Sequence, residues 1–409
     1  MFATLESPPS DRLTFSGLIR DLGPVQFANG LIGFIFAATG PLAIVLSVAA
    51  RGRLSPGEIA SWVFGCFFVN GVLTLAMTAV FRQPLCFFWT IPGTVLAGQA
   101  LTHLSFAEVI GSFYATSLLI LVLGLTGLAR RALAWIPMPI VMGMVAGVFL
   151  RFGLDIVRAL HGDPVLAWAM LTTFLALSIS ARIARIIPPI LGALVVGAIL
   201  FLNTSRIDPQ VLGSLSLAKP MLAQATFSLR AMVELVIPLA ITVLVVQNAQ
   251  GFVILQAAGH KPPANAVTIA CGVGGLFSAL VGAVGTCLTG PTNAIVVSGG
   301  EQRRYYAAAL VTGALAVVFG LFSATFTRLM LATPKEFIMM LGGLAMLRVL
   351  QGAFVSSFKG SFSLGALASF LVTVADLPLV GVGAAFWGLV AGWIVSRILE
   401  REHFATAGG

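Results

Sequence analysis

Apolar runs long enough to cross a lipid bilayer recur along the whole chain, and they constrain its fold more than any other feature. A spanning helix needs about 20 mostly apolar residues. Only 9% of the residues are charged, whereas a soluble domain has about 25%. The sequence therefore predicts an all-α polytopic membrane protein. The predicted segments are 22–50, 59–81, 84–102, 106–128, 134–154, 165–182, 187–203, 230–257, 264–283, 286–299, 305–328, 334–353, 361–376 and 379–397.

The rest of the composition narrows the possible functions. The net charge of +9 comes from basic residues that stand singly or in pairs between apolar runs, which is typical of membrane topology signals and not of nucleic-acid binding. The four cysteines and four histidines show no metal-ligand spacing or catalytic pattern. We therefore expect no enzyme, no metal site and no cofactor. Residues 1–21 lack the basic head of a signal peptide, and we interpret them as a cytoplasmic lead-in.

The fourteen segments divide into two halves of seven that resemble each other. The stretch IPMPIVMGMVAGVFLR (136–151) matches TPKEFIMMLGGLAMLR (333–348), and Pro92 matches Pro291 at nearly the same offset. An odd number of segments in each half would insert the second half upside down, as an inverted repeat. With the N-terminus inside, more than half of the 23 basic residues fall on the cytoplasmic side. This bias predicts a multi-pass membrane protein with both termini cytoplasmic.

Two segments, 84–102 and 286–299, are short and interrupted. They contain TIPGT and TGPTN, and a Pro–Gly combination removes a backbone donor and loosens the chain. Paired interruptions in two halves point to the binding site of a transporter, because irregular backbone at membrane depth must be buried or line a cavity. If each break starts a half-helix, two positive dipole ends form an anion site without a charged side chain. Simple helix kinks are the alternative.

Neutral polar side chains supply further candidates. Gln247 and Asn248 lie near the middle of the eighth segment, where an amide is costly unless it lines a site or bonds a neighbouring helix. Both roles are open. A looser repeat match places Thr39, beside a Gly–Pro interruption, opposite Gln247. Phe88 precedes the first break and either stacks on an aromatic substrate or packs in the core.

Deep charged residues, which commonly mark an ion pathway, are scarce. Glu234 follows Arg230 by four residues, and Asp155 follows Arg151 by four. These spacings predict local ion pairs on one helix face. Glu234 is the candidate for proton coupling.

Three stretches are similar to sequences of the bacterial benzoate/proton symporter family. RQPLCFFWTIPGTVLAGQAL has the R-x-P, the aromatic run and the T-x-P-G break of that family's third segment. IPMPIVMGMVAGVFLRFGLDIV looks like its fifth segment, and LQAAGHKPPANAVTIACGV resembles its connection between segments eight and nine. The resemblance spans most of the chain. It implies the seven-plus-seven inverted-repeat fold of nucleobase and sulfate-type anion transporters, as a monomer or a homodimer.

That fold implies that segments three and ten contain short extended stretches and half-helices, and that a core domain moves against a gate domain. The implied division is a cytoplasmic lead at 1–21, core segments at 22–128, gate segments at 129–203, a connection at 204–229, core segments at 230–329, gate segments at 330–398 and a tail at 399–409.

The chain also departs from these relatives. Nucleobase transporters usually carry acidic residues facing the substrate in segments eight and ten, where this sequence has Gln247 and Thr292, next to Asn293. This difference argues against nucleobase uptake. The proline in GTCLTGPTNAIVV also departs from the benzoate pattern, so the choice of substrate stays open.

We predict a secondary active transporter that imports benzoate or a similar small aromatic carboxylate with a proton, by alternating access. The alternatives are a transporter of inorganic or other organic anions and an anion channel on the same fold. The expected partners are the anionic substrate, the proton and the lipid bilayer, without nucleic acid. The candidate substrate-binding residues are Thr39, Phe88, Thr90, Gly93, Thr94, Gln247, Asn248, Gly290, Thr292 and Asn293, with Glu234 for proton coupling.

Overall fold

A computed structural model describes residues 5–9, 13–128, 137–180, 189–203, 215–298, 301–377, 379 and 384–407. These residues are mostly helical. Several basic residues used for the topology prediction, such as Arg130 and Arg131, lie outside the described residues, as do residues 204–214 of the predicted connection.

The first half of the chain contains ten helices and one strand within the described residues. They are α1 (Phe15–Asp21), α2 (Pro24–Ala38), α3 (Gly40–Arg51), α4 (Pro56–Phe64), α5 (Asn70–Phe81), β1 (Phe87–Trp89), α6 (Ile91–Ala100), α7 (Phe106–Thr126), α8 (Met138–Gly162), α9 (Pro164–Ser178) and α10 (Pro189–Asn203). A π-helical turn, Gly65–Val69, joins α4 to α5.

The second half follows the same pattern of helices with one strand. Its elements are α11 (Leu229–Ile241), α12 (Ala249–Ala257), α13 (Ala264–Leu280), β2 (Thr286–Leu288), α14 (Gly290–Val296), α15 (Tyr305–Leu321), α16 (Ser323–Leu331), α17 (Lys335–Phe358), α18 (Ser363–Ala375), α19 (Ala384–Leu399) and α20 (Arg401–Ala407). The π-helical segment Thr242–Asn248 joins α11 to α12. Such segments occur frequently at functional sites.

Seven helical stretches among the described residues are long and apolar enough to cross a membrane. They are Pro24–Arg51, Pro56–Phe81, Phe106–Thr126, Met138–Gly162, Leu229–Ala257, Gln302–Leu321 and Lys335–Phe358. Shorter apolar helices are α9, α10, α13, α18 and α19. Each of the fourteen predicted segments overlaps one of these helices or one of the two strand–helix interruptions. The number of complete crossings and the inverted relation of the halves stay predictions.

Local sequence signals explain where several helices begin. Ser55 accepts the backbone N–H of Glu58 before α4, and Glu58 bonds back to the cap. Ser105 and Glu108 do the same before α7. This reciprocal arrangement, a capping box, satisfies donors that a helix start leaves free. Thr39 separates α2 from α3 with a non-helical backbone, as the Gly–Pro pair after it predicts.

Tertiary packing joins these helices in groups. α8 packs on α17 and α18, α7 packs on α11 and α13, and α15 packs on α2 and α5. α3 lies against α17, and their approach is close at Gly40, where a Cβ atom would lie 2.1 Å from the Cβ of Ala345. Only glycine leaves room for that approach.

Ion pairs join helices that are distant in sequence. The Asp155 carboxylate in α8 lies 2.9 Å from Arg158 on its own helix and 3.6 Å from Arg51 at the end of α3. Arg151 pairs with Asp376, which follows α18. The local Arg151–Asp155 pair predicted from their spacing is therefore wrong, because packing brings each residue to another partner.

Candidate functional site

The two interrupted segments meet as a two-stranded antiparallel sheet. β1 and β2 pair in a register that places Phe88 opposite Cys287, and all residues of both strands are buried. A half-helix begins after each strand, α6 after β1 and α14 after β2. The predicted breaks are thus present, and the fold brings them into direct contact.

Backbone bonds continue this pairing beyond the strands. The Thr90 N–H donates to the carbonyl of Gly285 at 3.0 Å, and the Thr289 N–H donates to the carbonyl of Cys86 at 3.2 Å. The extended stretches therefore hold each other up to the point where the half-helices begin.

Threonines of α5 satisfy further backbone groups at β1. The Thr74 hydroxyl accepts the Phe87 N–H at 2.8 Å and donates to the Phe87 carbonyl at 3.1 Å. Thr78, one turn later, donates to the carbonyl of Leu85 at 3.3 Å. Backbone polar groups at membrane depth must be satisfied within the protein. Sequence reasoning missed both threonines, although their i,i+4 spacing just before the first break was a usable signal.

The side-chain amide of Asn293 bonds the protein backbone. Its Oδ1 accepts the Cys86 N–H at 3.1 Å, and its Nδ2 donates to the carbonyls of Cys86 at 3.1 Å and Thr289 at 2.6 Å. Asn293 is completely buried. Asn293, one of the predicted substrate-binding residues, therefore ties α14 to the chain before β1.

Asn248 has a similar arrangement on the other strand. Its Oδ1 accepts the N–H of Leu288 in β2 at 2.7 Å, and its Nδ2 lies 3.4 Å from the Sγ of Cys271 in α13. The residue connects the π-helical segment to β2 and α13. Asn248 therefore makes the contacts to neighbouring elements that the sequence left as one of its two roles, and Asn293 makes comparable contacts.

The start of α6 is built from threonines and a glycine. The Thr90 hydroxyl accepts the Gly93 N–H at 3.2 Å and lies 3.0 Å from the Thr242 hydroxyl. Thr94 donates to the Thr90 carbonyl at 2.9 Å. A Cβ at Gly93 would lie 2.4 Å from the Thr90 Cγ2. The half-helix start is therefore held tightly against the π-helical segment.

Gln247 differs from its neighbour Asn248. It is 5% exposed, and its Oε1 has no hydrogen-bond partner among the described residues. Gln247 lies in the π-helical segment, which contacts both β2 and α6. A buried polar atom without a partner is costly unless a ligand or water bonds it.

The remaining candidates surround the strands in different ways. Phe88 stacks edge-on against Phe67 and Trp89 at centroid distances of 6.0 and 5.8 Å, as part of the core. Thr39 donates to the Phe36 carbonyl at the end of its own helix. Thr292 is buried against α2. Gly290 begins α14, where a Cβ would lie 2.5 Å from the Gln250 side chain.

Glu234 lies away from the strands. It is buried in α11, and its carboxylate lies 3.0 Å from the Nε2 of His103, in the connection between α6 and α7. Sequence spacing pointed to Arg230 and missed this histidine, which stands 131 positions away.

Comparison with solved structures places the fold. The chain is similar to the transmembrane domain of a cyanobacterium bicarbonate transporter, BicA, with a TM-score of 0.61 and 17% identity over 93% of this chain and 99% of that one. It is also similar to SLC26A9, with a TM-score of 0.62 and 14% identity over 93% of this chain and 65% of that one. At these identities the likeness shows the fold alone.

Sequence relatives carry the comparison further. The Inner membrane protein YdcO of Escherichia coli is 31% identical over 386 residues, which is 92% of this chain and 96% of the relative. The Benzoate membrane transport protein of Acinetobacter baylyi is 26% identical over 383 residues, which is 91% of this chain and 94% of the relative. The family model described as BenE, Benzoate membrane transport protein, matches residues 20–398. These relatives are membrane proteins and transporters, not enzymes. The chain belongs to the benzoate membrane transport protein (BenE) family.

Proposed function

We propose that this protein imports benzoate or a similar small aromatic carboxylate together with a proton, by alternating access in the bacterial inner membrane. The observation that carries the proposal is the buried meeting point of β1, β2 and the start of α6, beside the side-chain amide of Gln247, whose Oε1 has no hydrogen-bond partner in the part of the chain that the structure describes. Family membership and the benzoate transport relative of Acinetobacter baylyi support the substrate class.

The substrate carboxylate binds at the first turn of α6, around Gly93 and Thr94, and faces Thr292 at the start of α14. A helix start favours an anion because its dipole end carries partial positive charge, and this charge remains although the Thr90 hydroxyl accepts the Gly93 N–H. Gln247 donates to the substrate with its amide turned by a flip of the side chain, so that the N–H groups and not the Oε1 point to the carboxylate. The aromatic ring lies toward Phe88, with Thr39, Thr90 and Gly290 completing the wall.

Asn248 and Asn293 have a different part in this site. Their amides already bond the backbone at Leu288 and Cys86. They hold the two strands in place, and the strands position the helix starts on which the substrate binds.

Alternating access moves the core helices, together with this site, against the gate helices. The α3–α17 packing at Gly40 and the Arg51–Asp155 ion pair both join a helix of the proposed core to a helix of the proposed gate. In this arrangement fourteen segments form two inverted repeats, and both termini are cytoplasmic.

Transport of an inorganic anion is the second candidate. One observation favours it: the ten candidate substrate-binding residues include no charged side chain, and a helix dipole does not distinguish one anion from another. The similar fold of a bicarbonate transporter agrees with this option. A channel on the same scaffold would carry anions without a saturable, proton-dependent phase.

Ligand-dependent thermal stability of the purified protein tests the substrate class. Benzoate and salicylate at saturating concentration should raise the Tm, whereas acetate, sulfate and bicarbonate should not. A ligand that binds only the folded state at 100 times its Kd adds about 2.7 kcal/mol. If bicarbonate or sulfate raised the Tm and aromatic acids did not, the substrate would be an inorganic anion and not an aromatic carboxylate.

Uptake into proteoliposomes separates transporter from channel. Labelled benzoate should enter saturably, faster under an inward proton gradient, and excess salicylate should compete while sulfate should not. Flux that does not saturate and ignores the pH gradient would establish channel behaviour instead.

A further inference from the structure

A histidine and a buried carboxylate meet where α6 ends and α11 begins. The Nε2 of His103 lies 3.0 Å from the Oε2 of Glu234, and its Nδ1 lies 3.2 Å from the hydroxyl of Thr102. The Glu234 side chain is 4% exposed, whereas the His103 side chain is 21% exposed. The imidazole is therefore the more exposed partner of a carboxylate that is otherwise buried.

We propose that His103 and Glu234 form the proton-binding site that couples proton movement to anion transport, an inference that rests on the proposed function. With a neutral imidazole the pair carries one negative charge, and binding one proton from water makes its net charge zero. The new bond is an N–H on His103 or an O–H on Glu234, and release returns the same proton to water. Histidine is the side chain that changes charge most readily near neutral pH.

The position of the pair connects it to the substrate site. α6 begins at the site with Gly93 and reaches the connection that carries His103. α11 carries Glu234 and continues through the π-helical segment to Gln247. Both elements that meet at the pair therefore contribute to the site at their other ends, so a change in the pair's charge acts on the elements that hold the substrate.

The physical reason for coupling is the cost of a buried charge. An unneutralised carboxylate in an apolar surrounding is expensive, and a bound proton removes that cost. Both partners lie in the proposed core, Glu234 on α11 and His103 in the connection after α6, and move with the substrate. The core then carries the substrate charge together with a neutral pair, and not with a second negative charge.

Ionisable groups lie on several elements packed near this pair. α3 packs on α6, and Arg51 and Arg53 flank Gly52, which lies against Leu101 just before His103. α11 carries Arg230, and α7 carries Glu108 and Tyr114; Glu108 is held by Ser105 in the capping box and feels the charge of Arg230. α6 contains no ionisable residue. The one charged residue of α19, which also contacts α11, is Arg397 in its last turn.

Gradient-driven uptake with His103→Gln and Glu234→Gln tests the proposal. With one proton per anion, an inward gradient of one pH unit should give roughly tenfold accumulation of benzoate in wild type. Both variants should lose this accumulation yet still exchange labelled for unlabelled benzoate at equal pH. His161→Gln, at an exposed histidine at the end of α8, is the matched control and should accumulate like wild type. Variants that accumulate like wild type would overturn the proton site.

Infrared difference spectra after a pH jump, without substrate, separate this proposal from the proposed function. Wild type should show imidazole and carboxyl bands that disappear in Glu234→Gln and His103→Gln and persist in His161→Gln. If wild type transports no benzoate but shows these bands, the proton site stands and the substrate assignment fails. Identical bands in wild type and Glu234→Gln would overturn the proton site whatever the substrate.

Discussion

The side-chain amide of Asn293 bonds both backbone groups of Cys86, a residue 207 positions earlier in the chain, with N···O distances of 3.1 Å on each side. An amide has the same donor and acceptor as a peptide group, so Asn293 acts here like one further residue of a paired strand. Asn248 gives β2 a similar partner at Leu288. Two three-residue strands can therefore lie inside a membrane protein without leaving these backbone groups unsatisfied.

Replacing Asn293 with alanine should destabilise the protein. The change leaves the N–H of Cys86 without its partner, and a buried unsatisfied group costs about 1–3 kcal/mol. We expect a lower Tm in detergent and a slower transport rate. Gln351→Ala, at an exposed amide of α17, is the control and should leave the Tm unchanged. Equal Tm values for Asn293→Ala and Gln351→Ala would contradict a stabilising bond between Asn293 and Cys86.

Gln247→Ala should weaken substrate binding without lowering stability. The Oε1 of Gln247 has no partner among the described residues, so its removal breaks no bond of the fold. Loss of a hydrogen bond to a charged ligand costs about 1.5–3 kcal/mol, which corresponds to roughly 10- to 150-fold in Kd. Titration calorimetry with benzoate measures this change. Gln256→Ala, at an exposed amide of α12, should bind normally; unchanged affinity in Gln247→Ala would place the substrate elsewhere.

Asp155→Asn should weaken the connection between α3 and α8. Arg51 lies 3.6 Å and Arg158 2.9 Å from this carboxylate. A neutral amide at this position has no charge that attracts either arginine. Because the carboxylate is buried but both arginines are partly exposed, we expect a loss of about 1 kcal/mol. A double-mutant cycle with Arg51→Gln measures the coupling. Glu301→Gln, which removes the exposed Arg303–Glu301 pair, is the control. A coupling energy near zero between Arg51 and Asp155 would count against an ion pair between α3 and α8.

Glu400 should make stability depend on acid pH. It accepts the N–H groups of Leu364 and Gly365 at 2.9 and 3.0 Å and the hydroxyl of Ser396 at 2.6 Å. Burial raises the pKa of Glu400, but these hydrogen bonds and the charge of His403 outweigh it, and the pKa falls below its ordinary value of 4.5.

A lowered pKa in the folded state gives stability that is complete above the unfolded value and is lost as the pH falls through the folded one. The Tm of wild type should therefore drop on acidification below about pH 4.5. Glu400→Gln should be less stable than wild type at neutral pH by about 1–3 kcal/mol, and its Tm should fall less on acidification. Glu301→Gln should show the same dependence of Tm on pH as wild type. If the Tm of wild type and of Glu400→Gln fell equally on acidification, Glu400 would not be the source of the pH dependence.

Features encoded over short stretches of sequence were predictable. The apolar runs, the breaks at Pro92 and Pro291 and the interruption after Thr39 follow from local hydropathy and from proline and glycine chemistry, which do not depend on distant residues. The family motifs extended this reading to the transporter class. Gln247 is buried beside the strands, and its Oε1 has no hydrogen-bond partner among the described residues; its role in substrate binding stays a prediction.

The partners of the polar side chains were decided only by the tertiary structure. From the sequence, Asn248 could line a site or bond a neighbouring helix, and Asn293 was a candidate for the substrate site. Only the approach of Leu288 and Cys86 shows which backbone groups these two amides bond. Asp155 and Glu234 have oppositely charged residues four positions away, yet packing supplies Arg51 and His103 at bonding or ion-pair distance. Hydropathy sets which segments enter the membrane because it sums over many residues. A hydrogen bond depends on the positions of two atoms, and these are fixed only when the whole chain has packed.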